Sequence, residues 1–271
     1  MKIRIISDLH TDINRKADLS WKDKDILTLI AGDVAGSLKG TKEFLRRELS
    51  NVVFIAGNHI VYNHENKPIQ TLYQDLKNEF PVNSNIAFLE NDYKVIDNIA
   101  IIGATLWTDF SYTTAQWAKG LPKKSIVQNN MNYAKQCMND YRWGLACEDG
   151  RIVRLMPRHC LKMFENSMRF IQKAYDEFAD SGKKIILMVH HGISPKSIDS
   201  DYIFDDINCA YITDLENYIL KNLPKLSLIT HGHIHKVLNF KIGKIPVICN
   251  PRGYETQNQK TGYDKNLIVE I

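Results

Sequence analysis

The residues Ile26-Leu27-Thr28-Leu29-Ile30-Ala31-Gly32-Asp33 form a nearly uninterrupted apolar run that ends in glycine and aspartate. A short run without polar alternation is typical of a strand that is buried on both faces of a sheet. Lys2–Ser7 and Val52–Ala56 have a similar character, and helical patterns occur at Thr41–Leu49 and Pro68–Phe80. This alternation of strands and helices predicts a parallel sheet with crossover helices on its faces.

Both predicted helices have recognisable first turns. Thr41 is a candidate N-cap, because a threonine hydroxyl can accept a hydrogen bond from an otherwise unsatisfied backbone N–H group. Pro68 suits the first turn of the next helix, where its missing N–H group is not needed. In sheets of this kind, ligands bind outside the carboxyl ends of the strands, where Asp8, Asp33 and Asn58 fall.

The rest of the chain predicts further strands and an insert. The elements are hairpins around Asp97-Asn98 and Gly243, a helix at 161–179, and strands at 185–189, 226–230 and 267–271. Residues from about 108 to 160 have few strand patterns, so we expect an insert that is partly helical near residues 129–138. Its aromatic side chains favour a core role, and a lid over the active site is the alternative. We find no repeat or linker, so residues 1–271 are predicted to form one domain.

Five short stretches place polar side chains directly after predicted strands. They are Asp8-Leu9-His10, Gly32-Asp33, Gly57-Asn58-His59, His190-His191 and Gly232-His233-Ile234-His235. Hard cations prefer carboxylate and amide oxygens, and transition metals also accept imidazole nitrogen. The set is too rich for one four-coordinate ion, whereas a bridging aspartate would suit a pair of ions. Two histidines spaced two apart also share one face of an extended chain, as adjacent ligands require.

Composition narrows the class of protein. The chain has 271 residues with a formal net charge of +4, and its basic residues are scattered, which tolerates an anionic substrate without indicating nucleic acid. Five cysteines without a CxxC pair indicate free thiols in a reducing compartment. The N-terminus has no secretory pattern, and no apolar run reaches the length of a membrane span. We therefore predict a cytoplasmic protein without membrane contact.

The order of the five motifs resembles that of the calcineurin-like metallophosphoesterases, from Met1 to about Tyr254. The family pattern runs D-x-H, GD, GNH followed by an acidic residue, H, and G-H-x-H. Small bacterial and phage members of unassigned substrate also carry the stretches seen here at 103–110, 138–140 and 250–254. The resemblance implies an α/β fold in the form of a layered αββα sandwich, with two mixed β-sheets flanked by helices.

The resemblance also assigns metal ligands. One ion would be held by Asp8, His10, Asp33 and His235, and the other by Asp33, Asn58, His190 and His233, so that Asp33 bridges. The cofactors would be two divalent or trivalent ions. Manganese is expected in vitro, and iron, zinc or nickel also suit the mixed nitrogen and oxygen donors. A hydroxide between the ions would attack the phosphorus atom of the ester.

His59 matches the family's catalytic histidine, which stabilises phosphoryl oxygens and helps the leaving group depart. The chain departs from the pattern at the next position, where Ile60 replaces the acidic residue that helps to fix this histidine in many relatives. Gly36 occupies a position where some relatives have an aspartate. We therefore expect another group, Asp12 or a backbone carbonyl, to orient His59.

The remaining histidines have less specific roles. His191 is expected in the pocket wall or behind a ligand, as a candidate substrate contact. His231 is expected to be structural, and His64 and His159 are expected to be ordinary surface or insert residues.

Three further residues are candidate substrate contacts. Arg252 follows a predicted strand, and an arginine can bind phosphate through two parallel hydrogen bonds. Asn139 and Arg142 lie in the predicted insert. Helix capping and salt bridges are the alternative roles for Asn139, Asp140 and Arg142.

The leading hypothesis is a dinuclear metal-dependent phosphohydrolase that acts on small phosphomonoesters or phosphodiesters. A nuclease is the alternative within enzymes, and it would need a basic groove with stacking residues. A non-catalytic metal-binding scaffold is the alternative from another class. A serine/threonine phosphoprotein phosphatase is disfavoured, because Asp33 is followed by Val34-Ala35-Gly36-Ser37 and not by the x-x-D-R-G of those enzymes.

Overall fold

The computed structural model describes residues 1–14, 21, 23–62, 66–257 and 259–271. The strands are β1 (Lys2–Ile6), β2 (Leu27–Ile30), β3 (Val52–Phe54), β4 (Ile86–Phe88), β5 (Asp92–Ile96), β6 (Ile99–Gly103), β7 (Leu145–Glu148), β8 (Arg151–Arg154), β9 (Lys184–Met188), β10 (Leu226–His231), β11 (Leu238–Ile242), β12 (Ile245–Cys249) and β13 (Ile268–Glu270). The α-helices are α1 (Leu38–Glu48), α2 (Ile69–Glu79), α3 (Lys123–Cys137), α4 (Asn139–Trp143), α5 (Pro157–Phe178), α6 (Asn208–Tyr211) and α7 (Glu216–Asn222).

The strands form two mixed sheets and one separate hairpin. The first sheet has the order β13-β1-β2-β3-β4, and the second has the order β11-β12-β10-β9-β6-β5. Within the first sheet β1 to β4 are parallel, and β13 is an antiparallel edge strand. Within the second sheet β12, β10, β9 and β6 are parallel, and the edge strands β11 and β5 are antiparallel. Both edges of the second sheet therefore come from the predicted hairpins.

The two sheets pack face to face. Ile5 and Leu29 of the first sheet share a buried cluster with Ile186 of the second. The alternate residues Ile6 and Ile30 point the other way, into the cluster that includes side chains of the flanking helices. Strands buried on both faces explain why these segments lack polar alternation, and the expected αββα sandwich is confirmed.

The first helix begins earlier than predicted. Ser37, not Thr41, is the N-cap of α1, and its hydroxyl accepts a hydrogen bond of 3.1 Å from the backbone N–H of Gly40. Thr41 lies inside the helix and is buried. The second helix follows Pro68 as expected.

The region predicted as an insert is more regular than expected. Helix α3 begins directly after Pro122, and β7 and β8 pair as a two-stranded antiparallel sheet that the sequence analysis missed. Its turn residues, Asp149 and Gly150, have φ angles of 50° and 76°. An Asp-Gly pair is a standard signal for such a hairpin, so this turn was recognisable from the sequence.

Two further expectations from the sequence concern His64 and membrane-spanning segments. His64 lies outside the described residues. Within the described residues, we find no helix that combines the length and apolar character needed to cross a membrane.

Candidate metal centre

The polar motifs follow the carboxyl ends of parallel strands in both sheets. Asp8 and Asp33 come after β1 and β2, and Asn58 comes after β3. His190 comes after β9, and His233 comes after β10, in the second sheet. Because the two sheets pack face to face, the strand ends of both sheets contribute side chains to one place.

The backbone is strained where these side chains are presented. Asp8, His10, Asp33 and His233 have φ angles of 51°, 43°, 53° and 65°. Residues other than glycine rarely adopt this left-handed conformation, which costs about 1–3 kcal/mol per residue and occurs preferentially at functional sites. Four such residues in one cluster therefore indicate a site whose geometry is fixed by the surrounding fold.

Two glycines allow the motif loops to approach one another closely. Gly32 has a φ angle of 96°, and a Cβ atom there would lie 2.2 Å from Nδ1 of His190. Gly57 has a φ angle of 78°, and a Cβ atom there would lie 2.1 Å from Oδ1 of Asp33. Neither position can accept a side chain without displacing a residue of the cluster.

The first group of converging ligand atoms comes from Asp8, His10 and His235, all within 4.8 Å of one another. The Nε2 atoms of His10 and His235 lie only 3.2 Å apart, and Nε2 of His235 lies 3.5 Å from Oδ1 of Asp8. The side chain of Gln259 fixes the other side of His235, with Oε1 2.8 Å from Nδ1. This leaves Nε2 of His235 directed at the group.

The second group comes from Asp33, His190 and His233. Nδ1 of His190 lies 2.9 Å from the backbone carbonyl of Ala31, which can only accept, so Nδ1 carries a hydrogen. Nε2 of His190 then faces two oxygens, Oδ1 of Asn58 at 3.0 Å and Oδ2 of Asp33 at 3.3 Å.

Asp33 lies between the two groups. It belongs to the group with His190 and His233 and also to a third group with His10 and His59. Its Oδ1 accepts a hydrogen bond of 2.9 Å from the backbone N–H of His59. The expected bridging position of Asp33 is therefore compatible with the geometry.

The donor set fits metal ions. Among the described residues, Nδ1 of His10 and Nε2 of His233 are buried and have no hydrogen-bond partner. Buried polar atoms are nearly always paired, so unpaired imidazole nitrogens on residues of these groups fit a site for a cation. A mixture of carboxylate, amide and imidazole donors suits first-row transition metals.

The electrostatics favour the protonation states of metal ligands at Asp33, His10 and His233, and a protonated imidazole at His190. Burial alone would raise the pKa of Asp33, but the neighbouring His190 and His59 hold it well below its usual value. Burial lowers the pKa of His10 to about 3 and also lowers that of His233. Burial alone would lower the pKa of His190, yet Asp33 raises it to about 9. Metal binding requires ionised carboxylates and neutral imidazoles, so His190 must lose a proton when an ion binds.

His59 lies beside these groups, and its orienting partner differs from the one expected. Its Nε2 lies 2.8 Å from the hydroxyl of Tyr254 and 4.0 Å from Oδ2 of Asp33. Asp12 faces Gly36 in the same cleft, and neither Asp12 nor a backbone carbonyl holds the Nε2 atom of His59 in the described part of the chain. Ile60 is buried in the hydrophobic core, which explains why this position is apolar.

The other histidines lie behind or outside the groups. His191 is buried between Trp107 and His233, with ring centroids 5.2 and 4.5 Å away. Burial lowers the pKa of His191 to about 3, so it is a neutral ring behind His233, and it is absent from the described lining of the cleft. Nε2 of His231 lies 3.1 Å from the hydroxyl of Ser197 inside the fold.

His159 lies at the start of α5, where its Nδ1 accepts from the backbone N–H of Met156.

The other three candidate substrate contacts, Asn139, Arg252 and Arg142, have different surroundings. Asn139 lines the cleft in front of the ligand groups. Arg252 is buried, and its guanidinium donates to both carboxylate oxygens of Glu255, at 3.0 and 2.9 Å, and to the carbonyl of Leu9. Arg142 is exposed and is absent from the described lining of the cleft.

The cleft in front of the ligand groups has a volume of about 840 Å³. Two tyrosine rings flank the groups: Tyr254 lies 4.5 Å from the ring of His10, and Tyr211 lies 4.5 Å from the ring of His233. Met138 and Asn139, from the predicted insert, form part of the wall. The insert therefore contributes to the cleft.

Comparisons with known proteins agree with this architecture. The family model for calcineurin-like phosphoesterase matches residues 1–237. The uncharacterized protein L509 of Acanthamoeba polyphaga mimivirus is 25% identical over 297 residues, covering 99% of this chain and 96% of that protein.

Solved structures have the same fold. Phosphopantetheinyl hydrolase (PptH) from Mycobacterium tuberculosis superposes with a TM-score of 0.73 at 18% identity, over 96% of this chain and 92% of that chain. A dimetal phosphatase from Danio rerio superposes with a TM-score of 0.51 at 13% identity, over 94% of this chain and 88% of that chain. At these identities the likeness concerns the fold.

Proposed function

This chain belongs to the calcineurin-like phosphoesterase family and is a phosphoric ester hydrolase, and we propose that it works with two metal ions bound side by side in the cleft. The ions would occupy the two groups of converging ligand atoms, with Asp33 shared. The proposed ligands are Asp8, His10, Asp33 and His235 for the first ion, and Asp33, Asn58, His190 and His233 for the second. The observation that carries this proposal is the convergence of ligand atoms in two neighbouring groups, Asp8 with His10 and His235, and Asp33 with His190 and His233, each within 4.8 Å.

When bound, two such ions supply an activated water near neutral pH and neutralise charge on the phosphoryl group. The mixed donors suit manganese, iron, zinc or nickel, and manganese is the practical choice for reconstitution in vitro. The protein's own contribution is to fix the ligands before the ions arrive. Two observations support that role. The backbone is left-handed at Asp8 and Asp33, and hydrogen bonds to Nδ1 fix the rings of His190 and His235.

We propose that His59 is the general acid, which donates a proton to the leaving oxygen. It lines the cleft beside Asp33 and is only 8% exposed, so its ring is held but can still reach a substrate. Burial raises the pKa of Tyr254, so its hydroxyl stays protonated at neutral pH. A neutral phenol can donate to an imidazole or accept from an imidazolium, so Tyr254 can keep His59 oriented in both of its protonation states.

The cleft favours a compact organic phosphoester over a nucleic-acid strand. Besides the ligand groups, its lining includes the carboxylates of Asp12, Asp199 and Asp205 and the ammonium groups of Lys236 and Lys260. Lys236 already forms a 2.7 Å ion pair with Asp199. A polyanion needs an excess of cations along its path, and this lining does not offer one.

Among phosphoesters we favour a diester with organic groups on both sides of the phosphorus. A diester carries one negative charge and a monoester carries up to two, so a lining with three carboxylates and two ammonium groups suits the diester better. The rings of Tyr211 and Tyr254, on opposite groups of ligands, would contact one organic group each.

Free thiols support a cytoplasmic location. Cys137, Cys147, Cys160, Cys209 and Cys249 are all unbridged. Free cysteines persist where the compartment is reducing.

The test is hydrolysis by metal-stripped protein reloaded with manganese. We expect activity only after reloading, with a higher kcat/KM on bis(p-nitrophenyl) phosphate than on p-nitrophenyl phosphate and little cleavage of single-stranded DNA or RNA. Efficient cleavage of the nucleic acids would support the nuclease alternative. Metal binding without hydrolysis of any ester would support a non-catalytic scaffold.

A further inference from the structure

The amide of Asn58 has a defined orientation between two unlike neighbours. Its Oδ1 lies 3.0 Å from Nε2 of His190, and its Nδ2 lies 3.0 Å from Oδ1 of Asp140. Oδ1 of Asp140 accepts this hydrogen bond from the amide, so the NH₂ end of Asn58 faces Asp140. The oxygen end is thereby directed into the group of metal-ligating atoms.

Asp140 belongs to the insert and not to any of the ligand motifs. It lies in α4, is only 1% exposed, and uses its second oxygen to accept a 3.0 Å hydrogen bond from the hydroxyl of Tyr62. Tyr62 ends the short 3₁₀ turn that begins at His59. Both oxygens of Asp140 are therefore used to hold the segment that carries Asn58.

Without this carboxylate, the NH₂ group of Asn58 would keep only a 3.4 Å contact with the hydroxyl of Tyr62, which Asp140 itself holds. The amide could then turn over. In that orientation it would offer hydrogens, not an oxygen, to the metal position.

We propose that Asp140 is a positioning residue that fixes the Asn58 amide with its oxygen towards the second metal position, so that the insert completes the metal centre. The inference rests on the proposed two-ion site. It goes beyond that site by making a residue outside the ligand motifs necessary for the affinity of one ion. Outer contacts of this kind typically change metal affinity by about 10–100-fold.

A purely structural role for Asp140 predicts something different. If Asp140 only attached α4 to the 59–62 turn, its removal would lower the stability of the metal-free protein and would affect both ions equally. If Asp140 orients Asn58, its removal would weaken the second ion, held by Asn58, His190 and His233, and spare the first. The two roles are thus separated by comparing the two ions.

The experiment is a titration of metal-free protein with Mn²⁺, followed by calorimetry and by competition with a chelating dye. Asp140→Ala removes both acceptor oxygens and is expected to weaken one of two ions by about 10–100-fold, with the other unchanged. Asp109→Asn is the matched control, since Asp109 is another buried aspartate of the insert that bonds to Ser111. It is expected to bind both ions as the unmodified protein does.

The exchange variant Asn58→Asp/Asp140→Asn gives an independent and more conservative test. It keeps the shape, the net charge and one hydrogen bond between the two positions, and it still presents an oxygen to the metal. We expect Asn58→Asp alone to be destabilised by two facing carboxylates, and the added Asp140→Asn to restore the binding of two ions. Wild-type affinity in Asp140→Ala, or binding of a single ion by the exchange variant, would overturn the proposal. An unmodified protein that binds no second ion would instead remove the proposed function.

Discussion

The hydroxyl of Tyr254 lies 2.8 Å from Nε2 of His59, although 195 positions separate the two residues in the chain. Tyr254 is the group that we propose to orient His59, since this chain has Ile60 where the family pattern has an acidic residue. The contact also makes His59 and Tyr254 a pair whose contributions can be separated by kinetics.

Replacement of His59 should affect poor leaving groups most. If His59 assists the leaving oxygen, His59→Ala should lower kcat/KM for alkyl esters by about 10²–10⁴-fold. The loss should be smaller for nitrophenyl esters, because nitrophenolate departs with little protonation. Metal content, measured by elemental analysis, should remain that of the unmodified protein. An equal and small loss on both ester types would mean that His59 is not the general acid.

Tyr254→Phe should give a weaker version of the same pattern. It removes one hydrogen bond to the imidazole, which is worth about 0.5–1.5 kcal/mol, or roughly 2- to 12-fold in rate. The loss should appear on alkyl esters and disappear when His59 is already alanine, so the double variant should resemble His59→Ala. Additive losses in the double variant would show that Tyr254 acts independently of His59.

The close approach at Gly32 predicts a large effect from a single methyl group. A Cβ atom there would lie 2.2 Å from His190, so Gly32→Ala should displace that ligand and abolish binding of the second ion. Gly120→Ala is the matched control, because Gly120 also has a positive φ angle, of 80°, but nothing lies within 4 Å of its Cβ position. The control should lose only about 1–2 kcal/mol of unfolding free energy, measured in urea, and keep its metal affinity. Equal losses of affinity in the two variants would contradict the steric explanation.

Metal binding should release a proton at neutral pH. In the metal-free protein Asp33 raises the pKa of His190 to about 9, against about 6.5 in an unfolded chain, so His190 is protonated at pH 7. A raised pKa stabilises the folded metal-free protein fully below about pH 6.5, and this contribution is lost as the pH rises towards 9. Over the same range Mn²⁺ affinity should increase, because fewer protons must be displaced. Calorimetry in buffers of different ionisation enthalpy would measure the released proton, and a heat independent of the buffer would contradict the prediction.

Asp33 and His191 allow a comparison between the ligand that we propose for both ions and a residue that lies behind the ligand His233. Asp33→Asn should abolish activity, because it removes charge from both metal positions at once. His191→Ala should lower activity by about 10–100-fold at most. The ring of His191 packs against the ring of the proposed ligand His233, and His191 is not itself a proposed ligand. Similar losses in kinetic assays of the two variants would count against the proposed ligands.

The sequence placed the polar motifs correctly at strand ends, because the burial of these strands is visible as unbroken apolar runs. Asp33 after β2 and His190 after β9 could be placed at strand ends without knowing how the two sheets pack. The roles of the supporting residues could not be predicted in the same way. The resemblance marked the stretches that contain Asp140 and Tyr254, but Asp140 contacts Asn58 across 82 positions, and no local pattern reveals that contact.

For Arg252, the local pattern suggested a role that its neighbours in the structure do not favour. An arginine after a strand near the G-H-x-H motif suggested phosphate binding, but Glu255, three residues further on, takes both ends of its guanidinium. In the same stretch the aromatic ring of Tyr254, and not the charge of Arg252, lies over the ligand groups. Side-chain direction within a loop depends on tertiary packing that residue types alone do not encode.

Each proposed ion would bind ligands from both sheets. Asp8 and Asp33 follow strands of the first sheet, and His190 and His233 follow strands of the second. Such ions would act as cross-links, much as disulfide bonds do in proteins of oxidising compartments. At a free metal concentration 100 times the dissociation constant, one ion adds about 2.7 kcal/mol to the free energy of unfolding. Metal supply would then set the lifetime of the folded chain as well as its activity, so that metal starvation would expose the protein to proteolysis.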